Sequence, residues 1–440
     1  MAGAETLHEV AGRASALPAE DALRRELHDE VHARPAARIR LPARVLHVAV
    51  LHDGVPPEEE ARHIATLPLS RAPDAAALSG AYVQLRLHGA LLRRERHSEF
   101  TGYTLIAAPP LTAPGRDGAD LPATWWRAIP GRLFAAIELD LATGDLVDPP
   151  SALAALRQGF GAEEVAASLL GDGYALAVTD FRVQADGFER IVVRCAGGTT
   201  ATRAGRIVQR LLELETYRLM ALRGLPAAKA LAGMLREAEA ELVDITKSTV
   251  DRHSADAELL RRLTALAARI EQATAANGYR FSATAAYHAI VRQRSAELRE
   301  RAVPGTQALA MFMQRRLAPA MATVASTEQR LAALSQRVER AGALLRTRVD
   351  IATEAQNQQL LAKLTRGQEL QLRLQSTVEG LSIAAISYYV VSLVLYGAKA
   401  AKAAGLPLEP EFVAGASIPF VLWGVWRLVR RIHDRLHAPL

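Results

Sequence analysis

The stretch Gly380–Ala398, GLSIAAISYYVVSLVLYGA, decides the architecture. It contains no Asp, Glu, Lys, Arg or His, and an apolar helix of about 20 residues is long enough to cross the hydrocarbon of a bilayer. A second uncharged run, Phe412–Trp426 (FVAGASIPFVLWGVW), is extended by Leu428 and Val429 once Arg427 reaches out to the interface. Trp423 and Trp426 sit where an aromatic belt lies, and Arg427, Arg430, Arg431 and Arg435 follow. The linker between the runs is balanced by Lys399, Lys402, Glu409 and Glu411. Positive charge gathered on the tail predicts a helical hairpin with both chain ends on the cytoplasmic side and a short loop outside. The competing reading is a pair of buried core helices.

Upstream of this hairpin the pattern is helical. Leu331, Leu334, Val338, Ala341 and Leu345 fall at steps of three and four and make one stripe of about two heptads before Arg348. Such a stripe serves a coiled coil between copies or ordinary helix packing within one chain. Helix-favouring residues run from Leu360 through Gln375 to Val378 without Pro, so the stalk is expected to enter the first span unbroken, with Pro319 a place for a kink. Helical spacing begins at Thr202 and breaks at Gly224-Leu225-Pro226, resumes over Ala227–Ala275, and returns over Phe281–Arg301, ending before Pro304-Gly305. These segments are expected to form antiparallel hairpins.

The first 200 residues read as α+β or α/β. Candidate strands are Val45–Leu51, Tyr82–Leu87, Phe100–Ala107, Leu133–Leu139 and Ala175–Val183. Asp186-Gly187 supplies a positive-φ turn for a hairpin over Phe181–Val193, and Leu111–Ala123 reads as an exposed loop. The expected organisation is an α/β domain over 1–200, a helical domain over 201–303, a stalk over 304–379 and the transmembrane hairpin over 380–440.

Composition excludes several classes. Lys+Arg 53 against Asp+Glu 47 leaves +6 on 440 residues, too dilute for a nucleic-acid face. A single cysteine, Cys195, rules out an internal disulfide framework and any Cys-based metal cage within one chain. Met1–Val10 lacks the basic and apolar regions of a signal peptide. No nucleophile elbow, phosphate loop or dinucleotide fingerprint is present, so no enzyme activity and no cofactor are expected.

Three clusters carry chemistry. In Leu23–Pro35 (LRRELHDEVHARP), His28 and His32 stand at i and i+4 with Asp29 and Glu30 between them, a spacing that puts two metal ligands on one helix face. Pro35 ends any such helix within a turn, and a polar cap with Arg34-Pro35 fixing the chain's exit is the favoured alternative. In Arg93–Phe100 (RRERHSEF), Arg96, His97 and Glu99 belong to a mixed-sign cluster that reads as a salt-bridged surface turn, or an anion site. In the first span, Ser382, Tyr389, Ser392 and Tyr396 share one helix face beside Gly397. A polar face in hydrocarbon requires a neighbouring helix or water, hence a helix seam or a pore.

The segments LHDEVHARP (27–35), RERHSEFTGYT (94–104), TDFR (179–182), DGF (186–188) and GRIVQRLLELETYRLMAL (205–222), with RFSATAAY (280–287), LLRTRVDIATEAQNQQLL (344–361) and LQLRLQSTVEGLSIAAISYY (370–389), resemble a bacterial membrane-anchored family of unknown function, domain-of-unknown-function family 3422. The resemblance implies an inner-membrane protein with a cytoplasmic body and no established activity. In architecture the chain is also similar to the CorA-type magnesium channel superfamily, whose first span ends in Tyr-Gly-Met-Asn where this chain has Tyr396-Gly397-Ala398-Lys399. Lys399 opposes divalent cations at that mouth, while Glu409 and Glu411 would form an acidic outer ring in a symmetric assembly. The expected protein is therefore a membrane-anchored homo-oligomeric scaffold or regulator, with a two-span channel or transporter as the alternative.

Overall fold

The apolar runs of the first 200 residues enter one mixed sheet. The structure is a computed structural model; it describes residues 20–25, 27–28, 35–67, 78–87, 89–108, 121–160, 164–250, 256–407 and 409–436. Strands β1 (Ala43–Leu51), β2 (Tyr82–Leu87), β3 (Ala90–Arg96), β4 (Phe100–Ala107), β5 (Arg132–Thr143), β6 (Ala166–Leu170), β7 (Ala175–Val183), β8 (Glu189–Cys195) and β9 (Arg301–Ala302) stand in the order β2-β3-β4-β1-β5-β8-β7-β6-β9. Neighbours are antiparallel except β5 and β8, which are parallel. β1 is central and buried on both faces, which is why it reads as an almost unbroken apolar run.

Short helices α1 (Pro57–Ala65), α2 (Ala123–Arg127) and α3 (Pro149–Arg157) cover one face, supplying Ile64, Trp125 and Leu153 to its core. The other face receives α4 (Ala201–Leu222), whose Ile207, Leu211 and Leu214 pack over Val45, Leu139 and Val193. Thr200 caps α4 by accepting the Arg203 N–H. Three longer helices follow: α5 (Gly224–Val250), α6 (Asp256–Glu297) and the 95-residue α7 (Leu309–Ala403), then α8 (Pro410–Leu436). Ion pairs fix their direction: Arg262 with Asp244 and Arg269 with Glu241 make α5 and α6 antiparallel, as Arg210 with Glu297 and Arg294 with Glu213 do for α4 and α6. The chain divides into two compact units, Met1–Val250 with Arg262–Glu339 and Asp251–Arg261 with Arg340–Leu440.

The strands expected at Tyr82–Leu87, Phe100–Ala107 and Ala175–Val183 form with those bounds, and the stalk enters the first apolar run within one helix. Gly187, at φ +88°, turns the β7–β8 hairpin. Several expectations need correction. Arg93–Arg96 is not a surface turn but part of β3, an interior strand with Arg93 and Arg94 buried. β6 was not anticipated. A helix runs through the expected break at 276–280, because Gly278 has open space around it and a helical glycine costs only about 1 kcal/mol. Leu331, Leu334, Val338 and Leu345 are buried and Ala341 half-buried within this one chain, which is the burial ordinary helix packing gives. Most of the expected loop at 111–123 lies outside the described residues.

Candidate functional site

β-sheet alternation splits the RRERHSEF cluster between the two faces of the sheet. On the side of α1, Arg94 and Glu60 are fully buried: Arg94 Nη1 donates to Glu60 Oε2 at 2.9 Å, and Arg96 Nη1 and Thr101 Oγ1 donate to Oε1 at 2.5 and 2.7 Å. Arg94 also donates to the Gly80 carbonyl and Arg96 to that of Val55. One carboxylate thus neutralises guanidinium charge that burial alone would expel, and burial lowers the Arg94 pKa against the opposing pull of Glu60.

On the side of α4, β1, β4 and β3 align His47, Thr104 and Arg93 in one cross-strand row. His47 Nδ1 lies 2.8 Å from Thr104 Oγ1 and Nε2 lies 3.3 Å from Thr216 Oγ1 of α4. Full burial, with Arg93 nearby, lowers the imidazole pKa to about 4, so the ring is neutral. Arg93 donates to the Pro35 carbonyl at 3.0 Å and pairs with Glu95 at 2.5 Å, while its buried Nε has no partner. Two glycines make this geometry. A Cβ on Gly102 would stand 3.0 Å from His47 Cε1, and one on Gly205 would meet the Ala37 carbonyl oxygen at 1.6 Å, so only glycine lets α4 approach the segment after Pro35.

The row and the α4 roof enclose a cavity of about 210 Å3, bordered also by Gln209, Glu213, Tyr217 and by Arg294 of α6. Four of the family-like segments meet here or beside it. Pro35 ends the first, Arg93, Glu95, His97 and Gly102 lie in or next to the second, and Gly205 to Tyr217 belong to the α4 segment. The fourth contributes Arg280, which pairs with Glu99 at 2.7 Å, and Tyr287, which stacks on Tyr217 at 5.7 Å. His97 stacks on Phe100 at 4.4 Å. The TDFR segment instead forms an irregularity in β7 that brings Phe181 onto Phe312 of α7, with ring centroids 4.4 Å apart. Near it, Glu189 and Glu215 are buried together under Arg218, and burial with the neighbouring carboxylate raises the Glu189 pKa.

The other expected site residues scatter. His28 sits on a helical turn, whereas Asp29, Glu30, His32 and Arg34 lie outside the described residues, as does any geometry for a His28–His32 pair. Among the described residues, no group of three or more His, Cys, Asp or Glu side chains could hold a metal. Cys195 is buried, and burial lifts its thiol to about 11.

The described residues include two helices long and apolar enough to cross a membrane, Leu309–Ala403 and Pro410–Arg431. In the first span, Tyr389 and Tyr396 are exposed, Ser382 is half-buried and Ser392 donates to the Tyr388 carbonyl at 2.8 Å. Within the two apolar runs, Ser387 and Ala398 on α7 and Ala414 and Val425 on α8 are buried. At about 100° per residue, Ser387 and Ala398 lie opposite the hydroxyl face. The tyrosines therefore point away from the seam inside the hairpin. Glu409 pairs with Lys402 at 3.0 Å, Glu411 opens α8, and Gly397 has no neighbour within 4 Å of a Cβ. Arg427 lies over Trp423 and Arg430 over Trp426, at 5.1 and 5.0 Å.

Of the residues around the row, Arg93 was flagged by its charged cluster, whereas His47, Glu60 and Thr216 escape a motif search. One signal existed: His47 is the single polar residue in the run VLHVAVL. No curated protein and no solved structure matches the chain. The family described as "Protein of unknown function (DUF3422)" matches residues 19–436, and the chain belongs to that family.

Proposed function

We propose that this is a membrane-anchored protein of the bacterial inner membrane, held by the α7–α8 hairpin with both ends in the cytoplasm, and that it self-associates to act as a scaffold or regulator and not as an enzyme. The observation that carries this reading is the bare apolar surface of the hairpin. Leu393 is 70% exposed and Phe420 77%, together with Leu381, Ile386, Phe412 and Trp423. A continuous apolar surface of this kind is stable in lipid, not in water. The two arginine–tryptophan pairs at the end of α8 fit the headgroup level, and the arginines of the tail favour the cytoplasmic side.

The exposed tyrosines support self-association. Tyr389 is 69% exposed, near the middle of the first apolar run and away from the α8 seam. A phenol facing lipid tails gains a hydrogen-bond partner when a second copy covers it. Beyond the buried part of α7, Leu360, Leu364, Leu374 and Val378 are exposed too and would be covered by the same partner.

Native mass spectrometry of the full chain in mild detergent tests the association. A dimer or larger closed assembly is expected; a monomer at all concentrations rejects it. Topology is tested separately by Leu406→Cys and Arg431→Cys with a membrane-impermeant maleimide, since the buried Cys195 gives little background. Labelling of 406 from outside intact cells, and of 431 only after permeabilisation, is expected. Ion flux in liposomes that is lost with Tyr396→Phe would replace the scaffold by a conducting assembly.

A further inference from the structure

We propose that the cavity between β1, β4, β3 and α4 binds a small zwitterion of the α-amino-acid class, its carboxylate on Arg93 and its ammonium group on the Glu213 side. The proposal stands whether or not the hairpin self-associates.

The first observation is the unpartnered donor. Arg93 lines the cavity and is about nineteen-twentieths buried; its Nη2 donates to both the Pro35 carbonyl and Glu95, and its buried Nε–H has no acceptor. A buried charged donor left open in this way costs free energy that an occupant's acceptor recovers. A carboxylate is a strong, charge-assisted acceptor for that one remaining donor.

The second observation is charge balance. The lining already carries two cations, Arg93 and Arg294, and two carboxylates, Glu95 and Glu213, while His47 is neutral. A simple anion would leave one uncompensated charge inside the protein, which is costly. A zwitterion brings both signs and no net charge. Glu213 accepts from Gln209 at 2.8 Å and faces Arg294, and a carboxylate has acceptor positions left for an ammonium group.

The third observation is shape. Part of the lining is apolar: Ile106, two residues from Thr104 on β4, with Ile39 and with Val208 and Leu212 of α4. A volume of about 210 Å3 holds several waters or one small molecule. Water satisfies Arg93 but gains nothing from the apolar lining, whereas an aliphatic side chain gains there.

The test uses the full-length protein in mild detergent, titrated calorimetrically with glycine, L-alanine and L-leucine, and with isovalerate and isoamylamine as the two half-charged controls. At least one amino acid is expected to bind with a Kd of about millimolar or better, and neither control to do so. Arg93→Lys keeps the charge and removes the Nε donor; it is expected to weaken binding at least about tenfold. Because that variant also touches Glu95, Val208→Phe provides a second arm: it fills the cavity from α4, and it is expected to abolish binding while the melting temperature is held or raised. Absence of binding by all three amino acids means that the cavity holds water alone and overturns the proposal. Equal binding of isovalerate, or unchanged affinity in Val208→Phe, overturns it as well.

Discussion

His47 on β1 and Thr104 on β4 stand directly opposite one another in the antiparallel register, with the ring Nδ1 2.8 Å from the threonine Oγ1. Thr216 approaches the other ring nitrogen from α4 at 3.3 Å. A neutral imidazole has one donor and one acceptor, and a hydroxyl can act as either, so two threonines satisfy it without a counter-ion. A charged ring would have to be accommodated in a fully buried place beside Arg93.

The pH dependence of stability follows from that environment. His47 takes up its proton near 6.5 when unfolded but only near 4 when folded, so between those values the unfolded chain binds one more proton. Stability contributed by the neutral ring is present above pH 6.5 and is lost as pH falls toward 4, at up to about 1.4 kcal/mol per pH unit. Denaturation of the wild type and His47→Gln across this window is the measurement. The variant is expected to show a shallower acid slope, and identical slopes would contradict the assignment.

The Glu60 cluster makes a prediction of opposite character. Replacing Glu60 by Ala leaves Arg94, fully buried, without its carboxylate, and the expected loss is about 3–5 kcal/mol. Thr101→Val removes only a hydroxyl from the same carboxylate and is expected to cost about 1 kcal/mol. Thermal melts of both variants in detergent give the ranking.

Gly205→Ala places a Cβ 1.6 Å from the Ala37 carbonyl oxygen and forces the segment after Pro35 away from α4. A loss of about 3 kcal/mol, near the top of the usual overpacking range, is expected. Gly233→Ala on α5 meets nothing within 4 Å and is expected to stabilise by about 0.5–1 kcal/mol. Comparison of the two melting temperatures checks the close approach itself, because helix propensity alone would raise both.

Leu393→Arg puts a charge on the exposed face of the first span, at a cost of about 3 kcal/mol for insertion. Leu344→Arg, also exposed but upstream of the apolar run, is expected to be neutral for insertion. Alkaline carbonate extraction of membranes separates them: the Leu393 variant is expected partly in the supernatant and the Leu344 variant in the pellet.

The hairpin and most strands were legible in the sequence because each depends on neighbours along the chain. Gly380–Ala398 lacks charge over its whole length, and β2, β4 and β7 begin and end at local turn signals. The breaks around α4 were equally local. β3 was not legible: its run LLRRER has neither apolar alternation nor a turn, and it is a strand because both of its faces are covered by partners from elsewhere. Glu60 lies 34 residues before Arg94, Pro35 58 residues before Arg93, and Thr216 169 residues after His47. Sequence alone determined most of the helical and extended segments and the two runs apolar enough for a membrane, since periodicity and hydrophobicity are properties of adjacent residues. Only the tertiary structure decided that a buried histidine, two buried arginines and a polar cavity are tolerated, since a buried polar group is stable only beside a compensating partner, and here those partners are brought together by sheet register and by the close approach of α4.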